Sequence, residues 1–196
     1  VPSFRDIPQF YTPQSGVDYD WNSLEGYIVD QQSIGLELEP DFQRGHVWDQ
    51  KRQVAYIENV LQDGPAGRTI TINRGPWAWR SKENGRLYRT SLSKAQESLA
   101  SWQGYHPYVL VDGLQRLTAI LKFLRNELPI FEGYFRKDYT EDRLPHQASV
   151  HIAFGEFDRR PDILRWYLQI NAGGIVHTEE ELSRVRQLLA QEHTPQ

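Results

Sequence analysis

The sequence predicts an α+β domain, and three observations carry that expectation. Short β-prone runs recur at 69–72, 108–111 and 149–154, none longer than a single strand. Other segments place apolar residues three and four apart, the spacing of one buried helix face. Strands and helices follow each other without the regular alternation of a parallel βαβ array.

Composition sets the outer limits. At 196 residues with 39% hydrophobic and 24% charged side chains, the chain reads as one globular domain. Cysteine is absent, so disulfides, thiolate catalysis and cysteine metal sites are excluded. A net charge of −4 argues against general electrostatic coating of nucleic acid, while leaving room for a local basic groove. No apolar run is long enough to cross a bilayer and VPSFRDIPQF is not a signal sequence, so a cytoplasmic protein is expected.

Residues 1–19, with Pro2, Pro8 and Pro13, read as an extended arm. The main domain is expected over 20–191, with a short tail at 192–196. Asp20 is the expected N-cap of a helix carrying Trp21, Leu24 and Ile28 and ending near Gly35. Leu36-Glu37-Leu38 reads as a brief strand stopped by Pro40. Asp49 caps a second helix with Val54, Ile57 and Leu61 inward, closed by Asp63-Gly64-Pro65. Thr69 to Ile72 alternates as a strand with one wet face.

In residues 73–105, Trp77, Trp79, Arg80, Lys82, Arg86, Tyr88 and Arg89 interleave rings with positive charge. Aromatic platforms with cationic neighbours suit flipped or single-stranded bases, which makes Trp77, Trp79, Arg80 and Arg86 candidate DNA contacts. The same stretch reads as a β-hairpin turning at Asn84-Gly85, with Trp79 and Tyr88 as a cross-strand pair. Ser93 to Trp102 looks helical.

The most informative stretch is HPYVLVDGLQRLTAILKFLRN, 106–126. A β-prone run, Tyr108 to Val111, breaks at Asp112-Gly113 and becomes a helix with Leu114, Leu117, Ile120, Leu121 and Leu124 on one face, ended by Leu128-Pro129. A strand that turns at glycine into a helix leaves backbone N–H groups free at the positive end of the helix dipole, which favours an anion. Arg116 could add a bidentate phosphate contact. Gly113 permits close backbone approach, Gln115 adds an amide and Thr118 a hydroxyl. Asp112 could hold Mg²⁺ or accept a proton from an attacking hydroxyl or water. The bland alternative is that Asp112 and Arg116, four apart, simply pair at the helix start.

Downstream, 130–136 and 149–154 read as strands. Pro161 opens a helix with Ile163, Leu164, Tyr167, Leu168 and Ile170 inward, stopping at Asn171-Ala172-Gly173-Gly174. Thr178 and Glu181 form a capping box for the last helix, with Leu182, Val185, Leu188 and Leu189. The loop Asp41 to Trp48 sets Gln43 and Arg44, two groups able to fork onto a ligand, between aromatic anchors. No Walker loop, dinucleotide fingerprint, GxSxG elbow or HExxH pair occurs, and the six His residues show no paired ligand spacing.

Three of these elements occur together in an order that resembles the N-terminal domain of GmrSD-type restriction proteins. Pro40 to Trp48, PDFQRGHVW, is similar to that family's Pro-x-Phe/Tyr-Gln-Arg-x-x-x-Trp signature. Asp112 to Thr118, DGLQRLT, resembles its D-G-Q-Q-R-L-T box, with Leu114 in place of the first Gln. Ile170-Asn171-Ala172-Gly173-Gly174 followed by Thr178 resembles its I-N-x-G…L-T element. The likeness spans roughly 20–190. No His-Asn-His motif is present in this sequence, and the chain resembles the stand-alone, phage-type form.

The resemblance implies a ParB/sulfiredoxin-like fold, a small mixed sheet with surrounding helices and a nucleotide site at the glycine-arginine box. By analogy Gly113 and the Leu114–Arg116 amides cradle phosphates, Arg116 and Arg44 neutralise them, and Gln43 orients a phosphate or the base. Asp112 holds the metal or assists proton transfer, with Gln115 beside it, while Thr118 and Asn171 complete the nucleotide site. The expected function is an NTP- and Mg²⁺-dependent enzyme of DNA modification or phage–host defence. It would transfer a phosphoryl group to a hydroxyl on a modified base, or hydrolyse the NTP. A non-catalytic, NTP-gated DNA-binding protein of ParB type and a restriction-type nuclease component are the alternatives.

Overall fold

The computed structural model describes residues 9–43, 45, 47–74, 80–83, 86–89, 107–157, 159–172 and 179–191. Four strands form one sheet: β1 (Ser15–Asp20), β2 (Thr69–Asn73), β5 (Val109–Asp112) and β6 (Ser149–Gly155), while β3 (Arg80–Glu83) and β4 (Arg86–Arg89) make a separate ribbon. Five helices accompany them: α1 (Trp21–Ser33), α2 (Gln50–Leu61), α3 (Leu114–Leu124), α4 (Arg160–Ala172) and α5 (Glu179–Gln191). The order β1-β6-β2-β5 is mixed, because β6 and β2 run parallel while both outer pairings are antiparallel. This is the α+β architecture expected from the sequence, in agreement with a ParB-like fold.

The strand alternation splits the core in two. Ile70, Ile72, Leu110, Val150, Ile152 and Phe154 point to a large apolar layer with α1, α2 and α3. Val109 and Val111 point the other way, to Phe42, Ile163, Leu164, Trp166, Tyr167 and Val185. In α3 every apolar position expected from the sequence is buried, each contributing about 1.5–3 kcal/mol. Gly155 matters on the second face: a Cβ there would sit 2.3 Å from the Trp166 ring, so glycine lets that indole lie against the sheet.

Several elements differ from expectation, each for a local reason. Residues 15–19, expected within the arm, form β1, where Val17 and Tyr19 face Ile152 and Val150 across the ladder. Leu36 to Leu38 makes a single parallel bridge, Glu37 to Val109, before Pro40 intervenes. The inward face of α2 is Gln53, Tyr56, Ile57 and Val60, while Val54 and Leu61 sit at its margin. Strand β2 has no wet face beyond Thr69: it lies between β6 and β5, and Thr71 and Asn73 are buried under the second layer. Asn73 repays its burial with three bonds, donating to Pro107 O (2.7 Å) and Phe157 O (2.9 Å) and accepting from Phe157 N (2.9 Å).

Helix α3 stops before Leu128-Pro129, because Asn126 takes a left-handed conformation (φ 60°). The strand expected at 130–136 is instead a tight turn, with positive φ at Phe131, Glu132 and Gly133, followed by a 3-10 turn at Arg136–Asp138. In the ribbon the partner of Tyr88 is Ser81, so the expected Trp79–Tyr88 pair is not the register that forms. Arg80 stands opposite Arg89 and Arg86 opposite Glu83 in the register. Asn84-Gly85, the Ser93–Trp102 helix, Gly173-Gly174, the Thr178 cap and the 192–196 tail lie outside the described residues.

Candidate functional site

The expected strand–turn–helix forms as read. Asp112 ends β5, Gly113 takes φ 105°, and α3 starts at Leu114. The glycine is required by its neighbour as well as by its backbone: a Cβ would lie 3.1 Å from both Cα and Cγ1 of Ile70. The close approach at Gly113 is therefore to β2. The first bond within the helix is Leu117 N to Gly113 O (2.9 Å), and no side chain caps Gly113. Among the described residues no side-chain cap bond covers the helix start, whose 114–116 amides have no partner within the helix.

Arg116 and Asp112 form an ion pair, with both side chains about a quarter exposed (23% and 28%). The guanidinium lies beside Gly67, whose constructed Cβ would be 3.9 Å from Nη1. Its Nε is buried with no hydrogen-bond partner among the described residues. The Tyr56 hydroxyl on α2 is buried in the same condition. Burial pushes the Tyr56 pKa up to about 12, against the opposing pull of the positive charges of Arg116 and Arg68. The Arg116 guanidinium and the sequestered Tyr56 hydroxyl thus lie within electrostatic reach of each other near the helix start, while Arg68 acts from further off, held by Asp63, Gly64 O and Gln147 O.

The loop 40–48 is fastened over this turn as a clasp. Gln115 Oε1 accepts from Val47 N and Trp48 N, both at 2.9 Å, and its Nε2 donates to Gly45 O at 3.2 Å. Gln43 Nε2 donates to Leu110 O, tying the loop to β5. The Trp48 ring rests on Tyr56 (5.5 Å between centroids) and its carbonyl accepts from Gln53 Nε2 (2.8 Å). At the other end Phe42 meets Tyr167 of α4 edge-on, while Asp41 pairs with Arg160 (2.5 Å) and its carbonyl accepts from Arg184 of α5 (2.9 Å).

The structure thus brings Asp112, Gly113, Leu114, Gln115, Arg116 and Gln43 into one neighbourhood, with Thr118 half-buried one turn further along α3. Leu114, which replaces the Gln of the box, is buried in the apolar core, so its amide is its polar contribution to the turn. Gln115 is spent on the clasp. Asn171 is buried near the end of α4 and donates back to Tyr167 O (2.7 Å), one turn from the clasp contact. Arg44, Trp77 and Trp79 lie outside the described residues, and Arg80 and Arg86 enter only as ribbon positions.

Sequence reading missed Tyr56, Gly67 and Arg68. Tyr56 was findable, because Gln53, Tyr56, Ile57 and Val60 obey the i, i+3, i+4, i+7 rule as well as the set anchored on Val54. Its meeting with Arg116, sixty positions on, had no local signal.

The stretch 26–160 matches the family described as GmrSD restriction endonuclease, N-terminal domain. The chain belongs to this family. The matched residues run from within α1 to the first residue of α4, and so hold both the clasp and the DGLQRLT turn. The Ile170–Gly174 element lies beyond them. No curated protein and no solved structure matches the chain. Membership of the GmrSD family suggests a restriction-type, DNA-modification defence setting. Among the described residues, no helix is long and apolar enough to cross a membrane.

Proposed function

We propose that the chain binds the phosphates of an NTP at the β5–α3 turn and acts on DNA in modification-dependent defence. The observation that carries this reading is the open start of α3, with Arg116 in its first turn holding a buried Nε that has no partner among the described residues. The first-turn amides that a helix leaves without an internal partner, the helix dipole and a guanidinium are the ingredients of a phosphate cradle. Leu114, Gln115 and Arg116 supply the amides, and Arg116 and Arg44 the charge. Gln115 and Gln43 hold the clasp in place, with Thr118 and Asn171 at the margin.

In the kinase form, a hydroxyl oxygen on a modified base attacks the γ-phosphorus. The bond to the β–γ bridging oxygen breaks, the nucleoside diphosphate leaves, and Asp112 takes the hydroxyl proton. In the hydrolase form, water is the acceptor. Mg²⁺ commonly holds on one or two carboxylates plus phosphate oxygens, and Asp112 offers one such carboxylate. Among the described residues no group of three or more His, Asp or Glu is placed to hold a metal by itself, so the ion would arrive with the nucleotide. When bound it would neutralise phosphate charge. Trp77, Trp79, Arg80 and Arg86 would contact DNA.

The second reading, an NTP-gated DNA-binding protein without turnover, draws support from the Asp112–Arg116 pair, because the carboxylate is engaged by a guanidinium rather than turned toward an acceptor hydroxyl. Incubation with γ-labelled ATP, GTP or CTP, with plain or hydroxymethylated DNA, separates the readings. Label on DNA identifies the kinase, free phosphate the hydrolase, and retention without turnover the binder. Cut DNA would mark a nuclease component. If none of the nucleotides is bound, the proposal fails.

A further inference from the structure

We propose that the Tyr56 hydroxyl is a ligand of the anion at this turn, and that the site takes a terminal phosphate rather than a phosphodiester. The inference rests on the nucleotide reading above and narrows it. Tyr56 is 7% exposed, and its hydroxyl has no hydrogen-bond partner among the described residues. A buried hydroxyl without a partner forfeits its hydration with no return, a cost that natural cores seldom carry without a purpose. The neighbouring Arg116 Nε is in the same condition, so two donors are held dry and unspent on adjoining helices. Arg116 is near enough for its charge to act on the Tyr56 hydroxyl, and with the first amides of α3 these two donors would offer an oxyanion a common set of partners.

The ring of Tyr56 is fixed by Trp48 and by the apolar core around α2 and α3, so the hydroxyl is held in place before a ligand arrives. Its pKa, pushed up to about 12 by burial, keeps the proton on the oxygen and leaves it a donor throughout the neutral and mildly alkaline range. Depth then selects the ligand. A diester phosphate carries a substituent on both sides and keeps to the surface of its polymer. A terminal phosphate, with three free oxygens, can enter far enough to reach a hydroxyl this deep. That chemistry has two sources, the end of a nucleoside triphosphate and the 5′-phosphorylated end of a DNA strand.

The test compares wild type, Tyr56→Phe and Arg116→Ala by calorimetric titration with ATP, GTP, CTP, pyrophosphate, and 5′-phosphorylated or 5′-hydroxyl oligonucleotides. Thermal melting without ligand accompanies each titration. Phe keeps the ring against Trp48 and removes only the unpartnered oxygen. The expected result is an unchanged or raised Tm together with an affinity for terminal phosphate about tenfold or more weaker, the scale of one hydrogen bond to a charged group. Binding by the triphosphates and pyrophosphate assigns the source to the nucleotide, whereas binding by the 5′-phosphorylated strand alone assigns it to a DNA end. Equal affinity of Tyr56→Phe and wild type, with binding still lost in Arg116→Ala, overturns the role of Tyr56 and leaves the phosphate turn standing. A lower Tm in Tyr56→Phe with unchanged affinity would make the hydroxyl structural and also overturns it. Equal binding of 5′-hydroxyl and 5′-phosphorylated strands overturns the terminal-phosphate assignment. Absence of binding by the wild-type protein removes both readings together.

Discussion

Helices α2 and α3 start in opposite ways. At α2, Asp49 sits in an extended conformation and its carboxylate accepts from Arg52 N at 2.8 Å, so the chain satisfies its own helix end. At α3 the cap is Gly113, which has no side chain, and the nearby carboxylate of Asp112 is turned to Arg116 instead. A carboxylate on the amides repels a second anion, while a bare helix start invites one. The contrast separates a helix end built for stability from one left available for a ligand.

The largest effect that would break this contrast is expected from Arg116→Ala. Nucleotide affinity should fall by roughly a hundredfold or more, since bidentate charge-assisted bonds are among the strongest available. Titration with ATP checks it, and near-wild-type binding would put the open helix start out of use. Gly113→Ala comes next. A positive φ and a 3.1 Å approach to the Ile70 backbone should cost about 2 kcal/mol or more of stability, measured by urea unfolding. Gln115→Ala removes three bonds to the clasp and should cost about 1–2 kcal/mol. The same urea unfolding measures this loss. Asp49→Ala should be smallest, about 1 kcal/mol of stability with nucleotide affinity unchanged. If that variant also lost its ligand, the two helix starts would not be independent.

The same pair of helices shows what was legible from sequence. Asp20, Asp49 and the 112–113 break are local signals, readable because capping and left-handed glycine depend on a few consecutive residues. The apolar stripe of α3 was equally plain. The reading of β2 failed at Thr71, because a polar residue in an alternating strand looks wet until the strand is found between two others and buried. The turn at 130–134 failed because three successive positive-φ positions, two of them not glycine, carry no common sequence mark. At the site the DGLQRLT turn and the 40–48 loop were both visible as segments. Their joining was not: Gln115 reads as a free amide until Gly45, Val47 and Trp48 are seen around it, and Tyr56 reads as one more core ring. Contacts across sixty or more positions are decided by the fold, and the residues that make them carry no local imprint.

The pairing of β1 with β6 has a consequence for how the chain is made. Asp18 and His151 meet across that ladder from 133 positions apart. During synthesis β1 emerges early and must wait for nearly all of the sheet before it has a partner. Such long-range closure is slow compared with helix formation, and an unpaired strand is prone to the wrong association meanwhile. It also sets the minimum length for producing the domain. A fragment cut to the matched stretch 26–160 would lack β1, the buried Trp21 and most of α4, leaving β6 as a bare edge and the second face of the sheet uncovered.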